Sequence, residues 1–140
     1  MKIKLDFVTN SSTTCFILIS EKDKGFTEDN FLKAVGVKKD SDFSDVFHSL
    51  YETLKEKIKP FRETCPKHRW NKGESCEEFA EEVFSKELSD KILKAEKEGK
   101  QVYLGDLSSD EGDEIETFFC TTSFIINGNT FYIDATNDYW

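Results

Sequence analysis

The feature that most constrains the fold is a set of apolar residues that recur at spacings of three and four between positions 43 and 61. This spacing places them on one side of an α-helix of about five turns. Pro60 lacks the backbone N–H that a helix interior uses, so it can lie only at the end of that helix. A helix with one apolar side needs a second layer to bury it. The residues on this side are Phe43, Val46, Phe47, Leu50, Leu54, Ile58 and Phe61.

Three shorter helices are predicted from the residues that begin and end them. Thr27 can accept a hydrogen bond at the start of the first, and Gly36 ends it. Ser75 opens a capping box at the start of the second. The third carries apolar residues between positions 88 and 95 and ends at Gly99.

Residues 15–20, 101–104 and 123–133 are rich in β-branched and aromatic side chains and predict strands. Within the last segment, Asn127-Gly128 is the dipeptide preferred in a two-residue type I′ hairpin turn. We therefore expect a single α+β domain over residues 1–140. Its mostly antiparallel sheet of about four strands, including the C-terminal hairpin, is expected to pack against helices on one face.

The N-terminal segment from Lys2 to Phe16 reads K-I-K-L-D-F-V-T-N-S-S-T-T-C-F. It resembles the opening K-I-[KR]-x-x-F-V-[ST]-N-S-S of a group of small bacterial and phage proteins, and departs from their pattern at positions 13–15, where serines are usual. The resemblance implies a bacterial or mobile-element origin. The group has no established activity, so the resemblance implies no catalytic residue. The side chains from Asn10 to Thr14 themselves predict a tight turn before the strand, with an anion-binding hydroxyl loop as the alternative.

The charge is distributed unevenly along the chain. Residues 1–72 carry 14 Lys and Arg against 11 Asp and Glu, whereas residues 73–140 carry 5 Lys against 17 Asp and Glu, which together give the net charge of −9. An acidic half of this kind repels nucleic acid and attracts basic protein surfaces. Its densest part holds six acidic residues within eleven positions. They are Asp106, Asp110, Glu111, Asp113, Glu114 and Glu116.

These six acidic residues allow three interpretations: a solvated loop, a docking surface for a basic protein, or a Mg²⁺ or Ca²⁺ site. Their spacing does not match an EF-hand, because no Glu stands at the twelfth position counted from Asp106. The first functional hypothesis is therefore a small acidic cytosolic binding protein, an inhibitor or adaptor of phage or mobile-element origin. The segment Asp138-Tyr139-Trp140 could add an aromatic anchor to its docking surface, with packing of Trp140 in the core as the alternative.

Cys65, His68 and Cys76 form a C-x2-H-x7-C pattern between two predicted helices. Thiolate and imidazole are zinc ligands, and the short C-x2-H spacing lets both reach one ion. The candidates for a fourth ligand are His48, Glu74 and Glu77. The alternative is a polar loop with two free thiols and a solvated histidine. The second functional hypothesis is therefore a zinc-stabilised nucleic-acid module or a metal-dependent enzyme at this segment.

The same segment is also the most basic part of the chain. Eight basic side chains lie between Lys55 and Lys72, with only two acids among them and with Phe61 and Trp70 nearby. Basic and aromatic residues together can hold single-stranded nucleic acid through its phosphates and bases. More often such lysines form the solvated side of an amphipathic helix, so direct nucleic-acid binding through this segment is the weaker interpretation.

Other functional classes are disfavoured by what the sequence lacks. No window approaches roughly 18 consecutive apolar residues, and the first residues are too polar for a signal peptide. We therefore expect a cytoplasmic protein without membrane association, whose four cysteines are reduced. The two histidines belong to no catalytic motif, which favours a non-enzymatic role. Either histidine could pair with Cys15, but a thiol in a buried strand is usually inert.

Overall fold

The computed structural model describes residues 2–5, 13–22, 25–108 and 122–136, with only the backbone described for residues 2–5 and 122. The strands are β1 (Lys2–Leu5), β2 (Thr13–Ser20), β3 (Lys59–Pro60), β4 (Gln101–Ser108), β5 (Thr122–Asn127) and β6 (Phe131–Asp134). The helices are α1 (Glu28–Val35), α2 (Ser44–Lys57), α3 (Phe61–Thr64), α4 (Cys76–Val83) and α5 (Lys86–Lys97), with a 3₁₀ turn at Cys65–Lys67. The strands form one antiparallel sheet in the order β1-β5-β6-β2-β4-β3.

Strand β2 lies inside this sheet and is buried on both faces. Cys15, Ile17 and Ile19 pack into the core beneath α3, α4 and α5. Phe16 and Leu18 point the other way, into the core beneath α1 and α2. The predicted α+β class and mostly antiparallel sheet are confirmed, but the prediction of helices on one face is wrong and the described strands number six rather than about four. An uninterrupted apolar strand needs cover on both faces, and so the fold has three layers.

Helix α2 is shorter than its apolar spacing predicts. It ends at Lys57, and Ile58 is already extended with ψ 141°. Lys59 and Pro60 form the edge strand β3, since proline disfavours helical geometry in the residue before it. Phe61 therefore begins α3 and lies in the core on the opposite face of the sheet. At the other end of the spacing, Phe43 is 67% exposed.

The shorter helices begin and end where their capping residues predict. The Thr27 hydroxyl accepts the backbone N–H of Asn30 at 3.2 Å, which caps α1. The Ser75 hydroxyl accepts the N–H of Glu78 at 3.1 Å, which caps α4. Gly36 follows α1 in the left-handed conformation, with φ 75°.

The C-terminal hairpin is present, but its turn is two residues further along than predicted. Asn127 is still in β5 and pairs with Tyr132, and the N–H of Gly128 donates to the Phe131 carbonyl at 2.9 Å. The turn residues are therefore 129 and 130, and Gly128 lacks the positive φ that a type I′ turn at Asn127-Gly128 requires. A Cβ at Gly128 would lie 2.6 Å from the Phe131 ring, so this glycine makes room for an aromatic side chain.

Strand β4 is twice as long as the strand predicted at residues 101–104, since it continues to Ser108. Because β4 is longer than predicted, Asp106, the first of the six acidic residues, lies in the sheet and not in a loop. Throughout the described part of the chain, each helix is too short or too polar to cross a membrane.

Candidate metal centre

Three separate elements bring the side chains of Cys15, His68 and Asp106 together. Cys15 on β2 and Asp106 on β4 are direct partners across the strand pair, so both side chains point to the same face of the sheet. His68 approaches from the segment that follows the 3₁₀ turn. Its Nε2 lies 3.8 Å from the Cys15 Sγ and 2.9 Å and 3.2 Å from the two carboxylate oxygens of Asp106. One donor atom from each of the three residues lies within 4.8 Å of the others.

His68 is held in place by a hydrogen-bonded loop. The Asn71 side-chain amide donates to the carbonyls of Cys65 and Glu74 at 3.0 Å and 3.2 Å, and its oxygen accepts the Glu74 N–H at 2.7 Å. This side chain therefore fastens the loop between the 3₁₀ turn and α4. The imidazole also packs against Phe79 of α4, with ring centroids 5.2 Å apart. Only 4% of the His68 side chain is exposed.

The hydrogen bonds around the imidazole determine its tautomer. The backbone N–H of Trp70 donates to His68 Nδ1 at 3.1 Å, so a neutral ring carries its proton on Nε2. That proton points at the Asp106 carboxylate. Because both Cys15 and Asp106 meet the same nitrogen, the three residues do not form a relay in which one ring nitrogen faces a nucleophile and the other an acid.

The Cys15 thiol is in a setting that keeps it protonated in the absence of a cation. Burial raises the pKa of Cys15 well above its ordinary value, and the charge of the nearby Asp106 carboxylate raises it further. A protonated, fully buried thiol is a poor nucleophile. A bound cation is the usual means by which proteins hold such a sulfur as thiolate, because metal ligation displaces the proton.

The donor set fits a zinc ion. Sulfur, imidazole nitrogen and carboxylate oxygen are all zinc ligands, and tetrahedral bonds of roughly 2.0–2.3 Å place neighbouring ligand atoms roughly 3.3–3.7 Å apart. The observed separations of 3.8 Å and 2.9 Å lie close to that range. Cys15 is fully buried, whereas 37% of the Asp106 side chain is exposed. The cluster is therefore closed on the core side and open beside Asp106.

The open side leads into a cleft of about 550 Å³ at the edge of the sheet. Strand β3 pairs with Tyr103 and Leu104, and among the described residues no strand pairs with this edge of β4 beyond them, at Asp106. The cleft takes three cationic and two carboxylate side chains from β3, α3, the 3₁₀ turn, the loop that follows this turn, and β4. Its lining residues are Lys59, Pro60, Glu63, Thr64, Lys67, His68, Arg69 and Asp106.

Of the three predicted zinc ligands, His68 lies beside Cys15 and Asp106. Cys65 and Cys76 are buried in the core beneath α3, α4 and α5, next to each other. Burial raises the pKa of Cys65 to about 12, with a further contribution from the Cys76 thiol. Among the described residues, neither belongs to a group of three clustered metal donors. A metal site at Cys65, His68 and Cys76 therefore stays a prediction.

A second group of donors lies on the outer surface, where His48 of α2 meets Glu28 of α1 and lies near Glu52. His48 and Glu52 are exposed and Glu28 is partly exposed. Its histidine, His48, is one of the candidates for the fourth ligand of the predicted zinc site. The contact between His48 and Glu28 joins α2 to α1.

The acidic segment is described only at its first residue. The Asp106 carboxylate faces His68 and the cleft. The other five acidic residues and the C-terminal Tyr139 and Trp140 lie outside the described residues, so docking onto a basic protein stays a prediction. Those five are Asp110, Glu111, Asp113, Glu114 and Glu116.

Some cations of the basic segment contact described side chains, and others line the cleft. The Arg62 guanidinium binds Glu96 through two hydrogen bonds of 2.8 Å and 2.7 Å and also contacts Glu77 at 2.7 Å. The Lys55 ammonium donates to the Tyr51 hydroxyl at 3.2 Å. The cations that line the cleft are Lys59, Lys67 and Arg69.

Sequence reasoning allows Cys15 to pair with either histidine but gives no reason to prefer His68, and it misses Asp106 as a partner of His68. The three residues are separated by 53 and 38 positions, and no spacing motif spans such distances. No model of a known protein family matches this chain, and neither does any curated protein or solved structure.

Proposed function

We propose that this protein binds a zinc ion through Cys15, His68 and Asp106 and presents it to the cleft beside Asp106. The observation that carries the proposal is the convergence of three donor atoms: a sulfur from β2, a nitrogen from the loop between the 3₁₀ turn and α4, and an oxygen from β4. This replaces the Cys65–His68–Cys76 ligand set suggested by spacing with one suggested by geometry.

The chemistry of the donors favours zinc over a hard cation. Mg²⁺ and Ca²⁺ prefer sites made wholly of oxygen ligands, whereas a thiolate and an imidazole suit zinc and its neighbours in the transition series. Two of the three donors here are of the softer kind. Zinc has no redox chemistry of its own, so it can be bound by the Cys15 thiol without oxidising it.

Three protein ligands favour an accessible ion over a purely structural one. Structural zinc sites are usually closed by four protein ligands, whereas catalytic sites keep one position for water or substrate. At this site the cleft borders His68 and Asp106, so a fourth ligand would enter from the cleft. When bound, a zinc ion of this type supplies a Lewis acid and lowers the pKa of a coordinated water. The residues of the chain would bind and orient the ion and exclude water from its core side.

Ligation through Nε2 has a local structural consequence. An imidazole bound through Nε2 carries its ring proton on Nδ1, where it can no longer accept the Trp70 N–H. The turn from His68 to Asn71 must therefore adjust when the ion binds. Trp70 packs against the His68 ring, with centroids 5.4 Å apart, so its fluorescence should report the change.

The test is metal binding in a set of cysteine variants. The protein is purified without chelator, analysed for zinc and loaded with Co²⁺, whose thiolate charge-transfer band reports a sulfur ligand. We expect about one ion per chain in the wild type and in Cys76→Ala, and none in Cys15→Ala or Asp106→Asn. Circular dichroism verifies that each variant is folded. The proposal would be overturned if the wild-type protein bound neither ion. It would also be overturned if Cys15→Ala bound Co²⁺ with the same affinity as the wild type.

A further inference from the structure

We infer that the cleft beside Asp106 binds the phosphate group of a small phosphate ester. The inference deepens the proposed function, since it names the class of ligand that would meet the ion. Its basis is the set of cations that line the cleft, and this set exists whether or not zinc binds.

The three cations reach the cleft from three different places. Lys59 lies on the edge strand β3, Lys67 in the 3₁₀ turn, and Arg69 in the loop that follows His68. All three are exposed. Lys59 and Lys67 form no ion pair with any described residue, and the Arg69 guanidinium lies over the Trp70 ring, 5.8 Å from its centroid.

The remaining charges of the cleft must be counted with these. Glu63 and Asp106 also line it, so the described side chains there carry three positive and two negative charges. The Asp106 carboxylate is engaged by His68, which reduces its influence on a ligand in the cleft. A positive balance is unusual on a chain with a net charge of −9. An anion approaching this protein is therefore attracted to the cleft and repelled by much of the remaining chain.

The mixture of side chains favours phosphate over other anions. An arginine guanidinium binds two phosphate oxygens at once, lysine ammonium groups neutralise the remaining charge, and the Thr64 hydroxyl can donate to an oxygen. The volume of about 550 Å³ lies within the range of small-ligand sites and suits a mononucleotide. A coordinated phosphate oxygen could also fill the fourth position of the proposed ion.

The experiment measures binding of three probes by isothermal titration calorimetry: inorganic phosphate, adenosine 5′-monophosphate and a single-stranded oligothymidylate. Each is titrated into chelator-treated and zinc-loaded protein, with citrate as a non-phosphate anion. The variants are Lys67→Gln and Arg69→Gln, and the matched control is Lys97→Gln, an exposed lysine at the far end of α5.

We expect the mononucleotide to bind the chelator-treated protein and to bind the zinc-loaded protein more tightly. Arg69→Gln should weaken that binding by about tenfold or more, because a charge-assisted pair of hydrogen bonds is lost, and Lys97→Gln should leave it unchanged. Binding that Arg69→Gln does not weaken, equal binding of citrate, or binding of the oligonucleotide alone would overturn the inference.

Zinc analysis of the same samples separates the two proposals. If no zinc binds but the mononucleotide does and depends on Arg69, the proposed function fails and the inference stands. If zinc binds at Cys15 and no phosphate compound binds in either form, the inference fails and the proposed function stands.

Discussion

Cys15 and Asp106 face each other directly across strands β2 and β4, and the imidazole of His68 lies over the pair. The strand pairing alone brings a sulfur and a carboxylate to the same face of the sheet. The loop that follows the 3₁₀ turn then supplies the nitrogen. The site therefore depends on the register of β2 against β4 and on the conformation of that loop, and each can be tested by substitution.

Asp106 is expected to stabilise the fold as well as the proposed site. Its carboxylate accepts a hydrogen bond from the nearly buried His68, so Asp106→Ala leaves a buried donor without its partner. The free energy of unfolding should fall by about 1–3 kcal/mol. Urea denaturation of chelator-treated protein measures this change. Asp90→Ala on the exposed side of α5 is the matched control and should change stability by less than about 0.5 kcal/mol. Equal effects of the two substitutions would contradict the assignment.

Asn71 is expected to control metal binding without touching the metal. Asn71→Ala removes the hydrogen bonds that fasten the loop to Cys65 and Glu74, and His68 then loses its fixed position. Zinc affinity should fall by about 10-fold or more, as for other residues that orient a ligand. Lys72→Ala, at the next position and exposed, is the control. Competition with a chromogenic chelator measures the zinc affinity. If Asn71→Ala binds zinc as tightly as the wild type does, the Asn71 hydrogen bonds are not needed to position His68.

The ion pairs of Arg62 should make stability depend on pH in the acidic range. A hydrogen bond from Arg62 lowers the pKa of Glu77 below its ordinary value of 4.5. A carboxyl with a lowered pKa contributes stability above its unfolded pKa and loses it as pH falls through the folded value. At neutral pH, Arg62→Met should cost about 0.5–1 kcal/mol, since the pair is partly exposed. The difference from wild type in urea denaturation should shrink below about pH 4. A difference that is constant from pH 7 to pH 3 would contradict this account.

The Phe16 ring packs so closely against Gly105 that only glycine should fit at this position. A Cβ at this position would lie 2.5 Å from the Phe16 ring and 3.1 Å from the Lys57 carbonyl. Gly105→Ala should therefore destabilise the fold by about 1–3 kcal/mol, the usual cost of overpacking a core. Phe16→Leu shortens the side chain and should recover part of the loss in the double variant. Strictly additive effects in the double-mutant cycle would show that the two positions do not clash.

Local signals in the sequence were sufficient for much of the fold. Thr27, Ser75 and Gly36 mark helix ends because each acts on backbone groups within four residues of itself. The same logic fails at Pro60. The apolar spacing continues through this residue and places Phe61 on the apolar side of the long helix, whereas Phe61 packs on the opposite face of the sheet. Periodicity records which residues are apolar, but not which layer they join.

The three-layer arrangement and the site depend on pairings between distant residues. The unbroken apolar run from Cys15 to Ile19 was the signal for cover on both faces, since a strand with one solvated face alternates. No comparable signal identified Asp106, because its role follows from standing opposite Cys15 in a register that no local pattern reveals. The residue type marks His68 as a candidate metal ligand, but a spacing pattern offers partners only among its neighbours in the sequence.

X-ray absorption at the zinc edge of the zinc-loaded protein identifies the atoms that bind the ion. Ligation by Cys15, His68 and Asp106 predicts one sulfur at about 2.3 Å and the remaining ligands as nitrogen or oxygen at about 2.0–2.1 Å. The sulfur shell should vanish in Cys15→Ala and persist in Cys76→Ala. Two sulfur ligands that depend on Cys65 and Cys76 would contradict the account and return the site to the C-x2-H-x7-C pattern.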